Sequence, residues 1–233
     1  MLVGLGNPGR EYRRNRHNVG FMALEEIARR AGIDLRTRKF SASYGQGTCA
    51  GRKVVCLMPE TFMNLSGDSV QPAAAFFKVA PEDLIVFHDE VDLAFGKLQV
   101  KEGGGHGGHN GLRSLAARLG TTQFRRIRIG VGRPANSNVP MADYVLSDFY
   151  GEESRALEEV LWKACDAAEL ILREGIGKAM NRFNGKAQEP RPKKAPPVPQ
   201  KPATATAEGA TAKGPGDKIL DVPASNDLAT KFR

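Results

Sequence analysis

The stretch "LVGLGNPG", residues 2–9, is an apolar run that stops abruptly at Gly6-Asn7-Pro8-Gly9. A short apolar run closed by a turn signal reads as a buried strand. Working outward, the next periodic segment starts at Asn18, where Phe21, Leu24, Ile27, Ala28 and Ala31 keep helical spacing and Gly32 is the stop signal. Segments 43–49 and 53–58 flank Ala50-Gly51-Arg52 and read as a hairpin. Ser66 stands where a cap belongs, ahead of a helix through Val70, Ala73, Ala74 and Phe77. Residues 84–87 form a second fully apolar strand, while 97–101 and 124–131 alternate. Helices are expected near 110–119, 152–174 and 177–184. Strands alternating with helices predict an α/β fold: one globular domain with a twisted mixed β-sheet and helices on both of its faces.

From Lys186 the composition turns to Pro, Ala, Lys and Thr with hardly an apolar run. Such a segment buries too little surface to offset the entropy of ordering. The expected organisation is therefore a folded body over 1–185 and a disordered tail over 186–233. The formal charge of +8 divides evenly: the tail has nine basic and five acidic residues, and the body 25 and 21. A basic balance suits a polyanionic partner, and solubility alone would also account for it. Cys49, Cys56 and Cys165 are odd in number and lack metal-ligand spacing, as expected of reduced cytosolic thiols. No apolar run has membrane-spanning length, and the opening reads as a strand, not a signal peptide.

Chemistry gathers where the apolar strands end. Asn7 and then His17 follow the first, Asn64 follows 53–58, and Asp89 follows 84–87. Ligands in open α/β sheets bind in the crevice outside the carboxyl ends of the strands. If those strands run parallel, two amides, a carboxylate and a histidine share one edge. Asn64 reads equally as a turn residue, Asn110 as the N-cap of the helix after it, and Asn18 as a cap.

The run "GGGHGGHNG", residues 103–111, allows three readings: a metal site on His106 and His109, a phosphate cradle, or a loop that presents an amide. No GK[ST] follows, so it is not a P-loop. His106 and His109 lie in a glycine-rich loop, not on a helix that would aim both rings at one ion, and His88, Glu90 and Asp92 read as a solvated turn and structural groups. Likewise "GLGNPG" fits G-x-G-x-x-G, but "REYRRNRHN" after it has no apolar helical face and no acidic partner follows at the required distance. The loop reading remains: a lid-like segment free to adopt positive φ that delivers Asn110, with His109 beside it.

The strings "VGLGNPG", "NRHNVG", "TFMNLSG", "HDEVDL", "GGGHGGHNGL" and "RIRIGVGRP" resemble, in order and spacing, the bacterial peptidyl-tRNA hydrolase family over roughly residues 2–184. The opening strand looks a residue or two short against that pattern. The resemblance implies a cofactor-free and metal-free esterase that cleaves the bond between a peptide and the 3′ ribose of tRNA stranded by aborted translation. By position, His17 would be the general base on water and Asp89 its orienting carboxylate. Asn64 and Asn110 would hold substrate and water, Asn7 would contact the substrate end, and Tyr12 and Phe62 fall in the same binding stretches. Positions matching Lys101 and Arg128 would clamp the 5′-terminal phosphate. The partner implied is the acceptor end of peptidyl-tRNA, and the protein is expected to be a cytoplasmic monomer.

The chemistry agrees with that resemblance. An activated ester needs a positioned water and a base poised near neutral pH, which histidine supplies, and a carboxylate on the far nitrogen fixes the tautomer. No G-x-S-x-G signature is present, which favours direct attack by water. The helix beginning near Asn18 is expected to disfavour imidazolium at His17. Contacts should go to peptide backbone, and a site built around the neutral amide of peptidyl-tRNA would reject the ammonium of aminoacyl-tRNA. The alternation in 124–131 places Arg126 and Arg128 on one face, and Arg13, Arg14 and Arg16 extend the basic patch. Two alternatives stand beside the esterase: a catalytically idle tRNA- or RNA-binding protein of the same fold, and a metal-dependent hydrolase.

Overall fold

The computed structural model describes residues 1–185. Among them seven strands form one sheet: β1 (Leu2–Gly4), β2 (Thr37–Lys39), β3 (Ala42–Cys49), β4 (Arg52–Pro59), β5 (Ile85–Glu90), β6 (Leu98–Glu102) and β7 (Arg125–Gly130). Their order is β2-β3-β4-β1-β5-β7-β6. β4, β1, β5 and β7 run parallel, and the remaining pairs are antiparallel, so the sheet is mixed as expected. The parallel core is the condition that brings the ends of β1, β4 and β5 to one edge.

The strand period of two splits the interior into two cores. Leu2, Cys56, Ile85, Phe87, Ile127 and Ile129 face one side, where α1 (Val19–Arg30), α5 (Gly151–Glu174) and α6 (Ile176–Phe183) cover them. Val3, Leu5, Leu57, Leu84, Val86 and Phe124 face the other, under α2 (Ser66–Phe76) and α3 (Asn110–Leu119). Gly20 lets α1 start directly on the strand ends: a Cβ there would sit 2.4 Å from the Phe87 carbonyl oxygen and 2.5 Å from that of Leu5. This contact sets the residues just before α1 into the crevice.

Four features depart from the sequence reading. β2 was not anticipated, because all three of its residues are exposed and carry no alternation. A short helix, α4 (Met141–Val145), falls in a stretch without a periodic signal. β5 runs on through His88, Asp89 and Glu90, since those polar groups find buried partners within the fold. Ser66 is the first residue of α2 and not its cap; its Oγ donates to the Met63 carbonyl instead.

At the far edge, β6 has no further strand beside it among the described residues. There the Asn184 side chain accepts from the Val100 N–H at 2.8 Å and donates to the Val100 carbonyl at 2.9 Å. The three cysteines are free and buried, and burial pushes the Cys56 and Cys165 thiols up to about 12. No helix of the described residues is long and apolar enough to cross a membrane. The tail expected over 186–233 lies outside the described residues.

Candidate active site

Asn7 follows β1 and is held on three sides. Its N–H donates to Asn18 Oδ1 and its carbonyl accepts from Asn18 Nδ2, both at 2.9 Å. Its own Oδ1 accepts from the Met63 N–H at 2.8 Å. Asn18 is thus not the cap expected of it: it sits at the N-cap position of α1, makes no capping bond, and instead locks the backbone of Asn7. With Oδ1 occupied, Asn7 presents Nδ2, which has no partner among the described residues. The same Met63 bond anchors the turn that carries Phe62 and Asn64, both exposed.

His17 lies in the single turn ahead of α1, and Asp89 lies on β5. His17 Nδ1 donates to Asp89 Oδ1 at 2.8 Å, and His109 Nε2 donates to the same oxygen at 2.9 Å. His109 Nδ1 accepts from the N–H groups of Gly111 at 3.1 Å and Leu112 at 3.3 Å, so its ring is the N-cap of α3. The two roles of His109 demand one tautomer, with the proton on Nε2. A carboxylate facing Nδ1 of His17 likewise leaves His17 Nε2 as the lone-pair nitrogen. Asn110, offered as a cap by its position, is instead the first residue of α3, and its Oδ1 accepts from Arg113 at 2.8 Å.

Burial pushes the Asp89 carboxyl up, but the charges of His17 and His109 and their hydrogen bonds outweigh it, holding its pKa well below the carboxylate range. At His17 burial acts to lower the pKa, and the Asp89 charge and hydrogen bond overcome it, so the net direction is upward. The expectation that the helix end keeps His17 neutral is therefore corrected: a buried carboxylate at contact distance is the stronger influence. His88 packs edge-on against His109 with centroids 5.0 Å apart, and its Nδ1 donates to the Asp89 carbonyl at 2.7 Å. Complete burial and the neighbouring His109 drive its pKa far down.

His17, Asp89, His109 and Asn110 line one cavity of about 270 Å³, walled on the far side by Met141, Ala142 and Val145 of α4. Arg16, expected in a basic patch, is buried. It bonds Ser147, the Asp148 carbonyl and Glu153, and stacks over Tyr144 at 4.6 Å, fastening the segment after α4 to the residue beside His17. Arg13 and Arg14 are exposed. Tyr12 is half-buried, and neither it, Phe62 nor Asn64 lines this cavity.

The glycine run is pinned at both ends. The Gly103 N–H donates to the Phe124 carbonyl at 3.0 Å. Arg126 donates to the carbonyls of Gly104 at 2.6 Å and Gly105 at 2.7 Å. That arginine is 2% exposed, so it anchors the loop and is not a free basic face. Arg128 donates to Glu90 Oε2 at 2.9 and 2.6 Å and to Gln99. It shares a second cavity of about 250 Å³ with Lys101, His88, Arg126 and Glu90. Burial and the charges of Arg128 and Arg126 lower the Lys101 pKa.

A family model described as peptidyl-tRNA hydrolase matches residues 1–192. The chain belongs to the peptidyl-tRNA hydrolase family. It is 50% identical to the peptidyl-tRNA hydrolase of Geobacter sp. strain M21 over 186 residues, 80% of this chain and 98% of that one. The Dinoroseobacter shibae enzyme of the same name is 47% identical over 208 residues, covering 89% of this chain and 88% of its own. A crystal structure of peptidyl-tRNA hydrolase from Acinetobacter baumannii superimposes with a TM-score of 0.74 at 39% identity, over 78% of this chain and 93% of that chain.

Within this family member, the ligand atoms of His17, Asp89 and His109 lie within 4.8 Å of one another, a group that a metal ion could in principle use. The donor chemistry fits poorly. Both ring nitrogens point a proton at one carboxylate oxygen at hydrogen-bond spacing, and a metal would have to displace both protons and the cap of α3. Of the sequence candidates for a metal, His88, His106, Glu90 and Asp92 stand outside this group.

Proposed function

We propose that the chain hydrolyses the ester of peptidyl-tRNA with His17 as general base, oriented by Asp89, in a catalytic domain spanning 1–185. The observation that carries this reading is the sharing of one buried Asp89 oxygen by two ring N–H donors, which leaves His17 Nε2 as a lone pair facing the cavity. Nε2 takes a proton from water as the water oxygen attacks the ester carbonyl. Asp89 steadies the imidazolium that forms. The tetrahedral intermediate then collapses, the imidazolium returns the proton to the ribose 3′ oxygen, and the peptide leaves as its carboxylic acid, which releases its remaining proton to solvent.

Asn7 Nδ2 and the amide of Asn110 are the neutral donors at hand for peptide carbonyls and for the oxyanion, with Asn64, Tyr12 and Phe62 farther out along the substrate. His109 positions Asp89 and α3. Recognition of backbone by amides is indifferent to peptide sequence, and an unblocked ammonium would face amide donors without an acceptor, which protects aminoacyl-tRNA. Lys101 and Arg128 would hold the 5′-terminal phosphate, and their shared cavity supports that reading. Arg128 is already pinned by Glu90, so Lys101 is the more available cation. The reading places the protein in the cytoplasm as a monomer acting on the acceptor stem and 3′ end.

The test is deacylation of N-acetyl-aminoacyl-tRNA and unblocked aminoacyl-tRNA in EDTA. The expected result is fast cleavage of the blocked substrate alone, reduced by about 10³–10⁴-fold in His17→Ala. Loss of activity in EDTA would favour a metal hydrolase. Tight tRNA binding without turnover would favour the idle RNA-binding alternative.

A further inference from the structure

His88 is 1% exposed, and neither the general-base step nor the substrate contacts engage it. Its Nδ1 donates to the Asp89 carbonyl at 2.7 Å, which leaves the lone pair on Nε2. That Nε2 is buried without a hydrogen-bond partner among the described residues. With its pKa driven far down by burial and by His109, the ring stays neutral and Nε2 stays an acceptor. A buried acceptor left unpaired is a standing cost that an arriving donor removes.

The ring lines the cavity of about 250 Å³ that Lys101 and Arg128 share, with Gly105 and Gly107 on its rim. Nothing lies within 4 Å of where a Cβ would stand on either glycine, so the rim is open. Lys101 reaches the cavity from β6, Arg126 and Arg128 from β7, and His106 from the glycine run. Arg126 is held by two glycine carbonyls and Arg128 by Glu90, which leaves Lys101 as the cation without an acceptor among the described residues. The acidic groups of the lining, Glu90 and Asp92, are paired with Arg128 and Arg133. The other titratable neighbours of His88, Asp89 and His109, are bound to each other.

The cavity thus joins an attraction for an anion to one buried lone pair. A fully ionised oxyanion would satisfy the cations but set its own lone pairs against Nε2. A phosphate monoester resolves the conflict, because its second pKa is about 6 and one proton is easily kept. Its O–H can donate to Nε2 while the remaining oxygens face Lys101. A diester linkage inside a nucleic-acid chain has no such proton to give.

We propose that the 5′-terminal phosphate of tRNA binds here with one proton, held between a phosphate oxygen and His88 Nε2, so that His88 distinguishes a terminal monoester from an internal diester. The proposal rests on the reading of this cavity as the phosphate site. The proton comes from solvent, since the free monoester is mainly the dianion above about pH 7.

The experiment is calorimetric titration with deacylated tRNA at about pH 7.5, repeated in buffers of different ionisation enthalpy so that protons are counted. The 5′-phosphorylated tRNA should take up about one proton more than its 5′-hydroxyl counterpart, and its advantage in Kd should fall by up to about tenfold from pH 7 to 8. His88→Asn keeps an N–H for the Asp89 carbonyl but has no Nε2, and should bring the extra uptake close to zero. A tRNA carrying a 5′-phosphate methyl ester, which cannot hold the proton, makes the same test on wild type and should bind without the extra uptake. Equal uptake in wild type and His88→Asn, or for monoester and methyl ester, would overturn the proposal, as would a 5′-phosphate preference without uptake. Equal Kd for 5′-phosphorylated and 5′-hydroxyl tRNA would overturn the phosphate reading beneath it as well, so the two failures are separable.

Discussion

Two glycine-rich stretches border the site, and they use glycine for opposite reasons. Around β1 the need is space: a Cβ on Gly4 would come within 2.6 Å of the Gly20 carbonyl oxygen, and one on Gly6 within 2.6 Å of the Phe21 ring. In the 103–108 run the need is conformation. Gly107 and Gly108 hold φ of 57° and 85° with open space where a Cβ would go. The same residue type thus builds a close-packed floor at one side of His17 and a free-standing span at the other. One fixes where His17 and Asn7 stand, and the other lets Asn110 reach them.

Substitutions should separate the two uses. Gly20→Ala sets a methyl group against two backbone carbonyls that cannot yield, so it should cost about 3 kcal/mol or more in chemical denaturation and take activity with it. Arg126→Met leaves the Gly104 and Gly105 carbonyls without their donor, with an expected loss of about 1–3 kcal/mol and a fall in kcat as Asn110 loses its register. His109→Ala removes the α3 cap and one of the two donors to Asp89. A stability loss of about 1–2 kcal/mol should accompany lower turnover, and His109→Asn should restore much of the cap but little of the turnover. Gly108→Ala meets only left-handed strain and should cost about 1 kcal/mol, with the fold intact by circular dichroism. If Gly108→Ala proved as damaging as Gly20→Ala, the contrast drawn between the two stretches would be wrong.

A pH titration sharpens the pinned side. The folded pKa of His17 lies above its ordinary 6.5, so turnover should rise with pH through a midpoint above that value. Its stabilising contribution is complete below 6.5 and fades as pH climbs through the folded value. Asp89 works in the opposite sense: its contribution is complete above 3.8 and fades as pH falls towards its depressed value. Asp89→Asn should move the kinetic midpoint of His17 down, which a pH–rate profile or NMR titration would report.

The sequence carried most of the fold because periodicity is local. The hairpin of β3 and β4, the apolar β1, and α3, α5 and α6 all announce themselves within a dozen residues. β2 and α4 do not, because neither buries a regular face. At the site, His17, Asp89, Asn7 and Asn64 were legible as chemistry at strand ends, and Asn110 as the amide at the end of the glycine run. The roles of Asn18, His109, Arg16 and Arg126 were not, since each is defined by a partner far away in the chain. Asn18 looks like a cap until Asn7 is seen folded back on it, and Arg126 looks like a surface cation until the glycine carbonyls are seen above it. Arg126 and Arg128 alternate as one basic face on paper, yet one is spent on the loop and the other on Glu90.

Asn184 has a consequence for assembly. An outermost strand with open N–H and C=O groups is a template on which another chain can continue the sheet. A single carboxamide, arriving from the end of α6, occupies both groups of Val100 at once and so stands in for a neighbouring strand. The residues around 184 therefore work as a stopper as well as a helix end. A chain cut just before Asn184, or Asn184→Leu in the intact one, should keep its secondary structure yet associate edge to edge in sedimentation velocity.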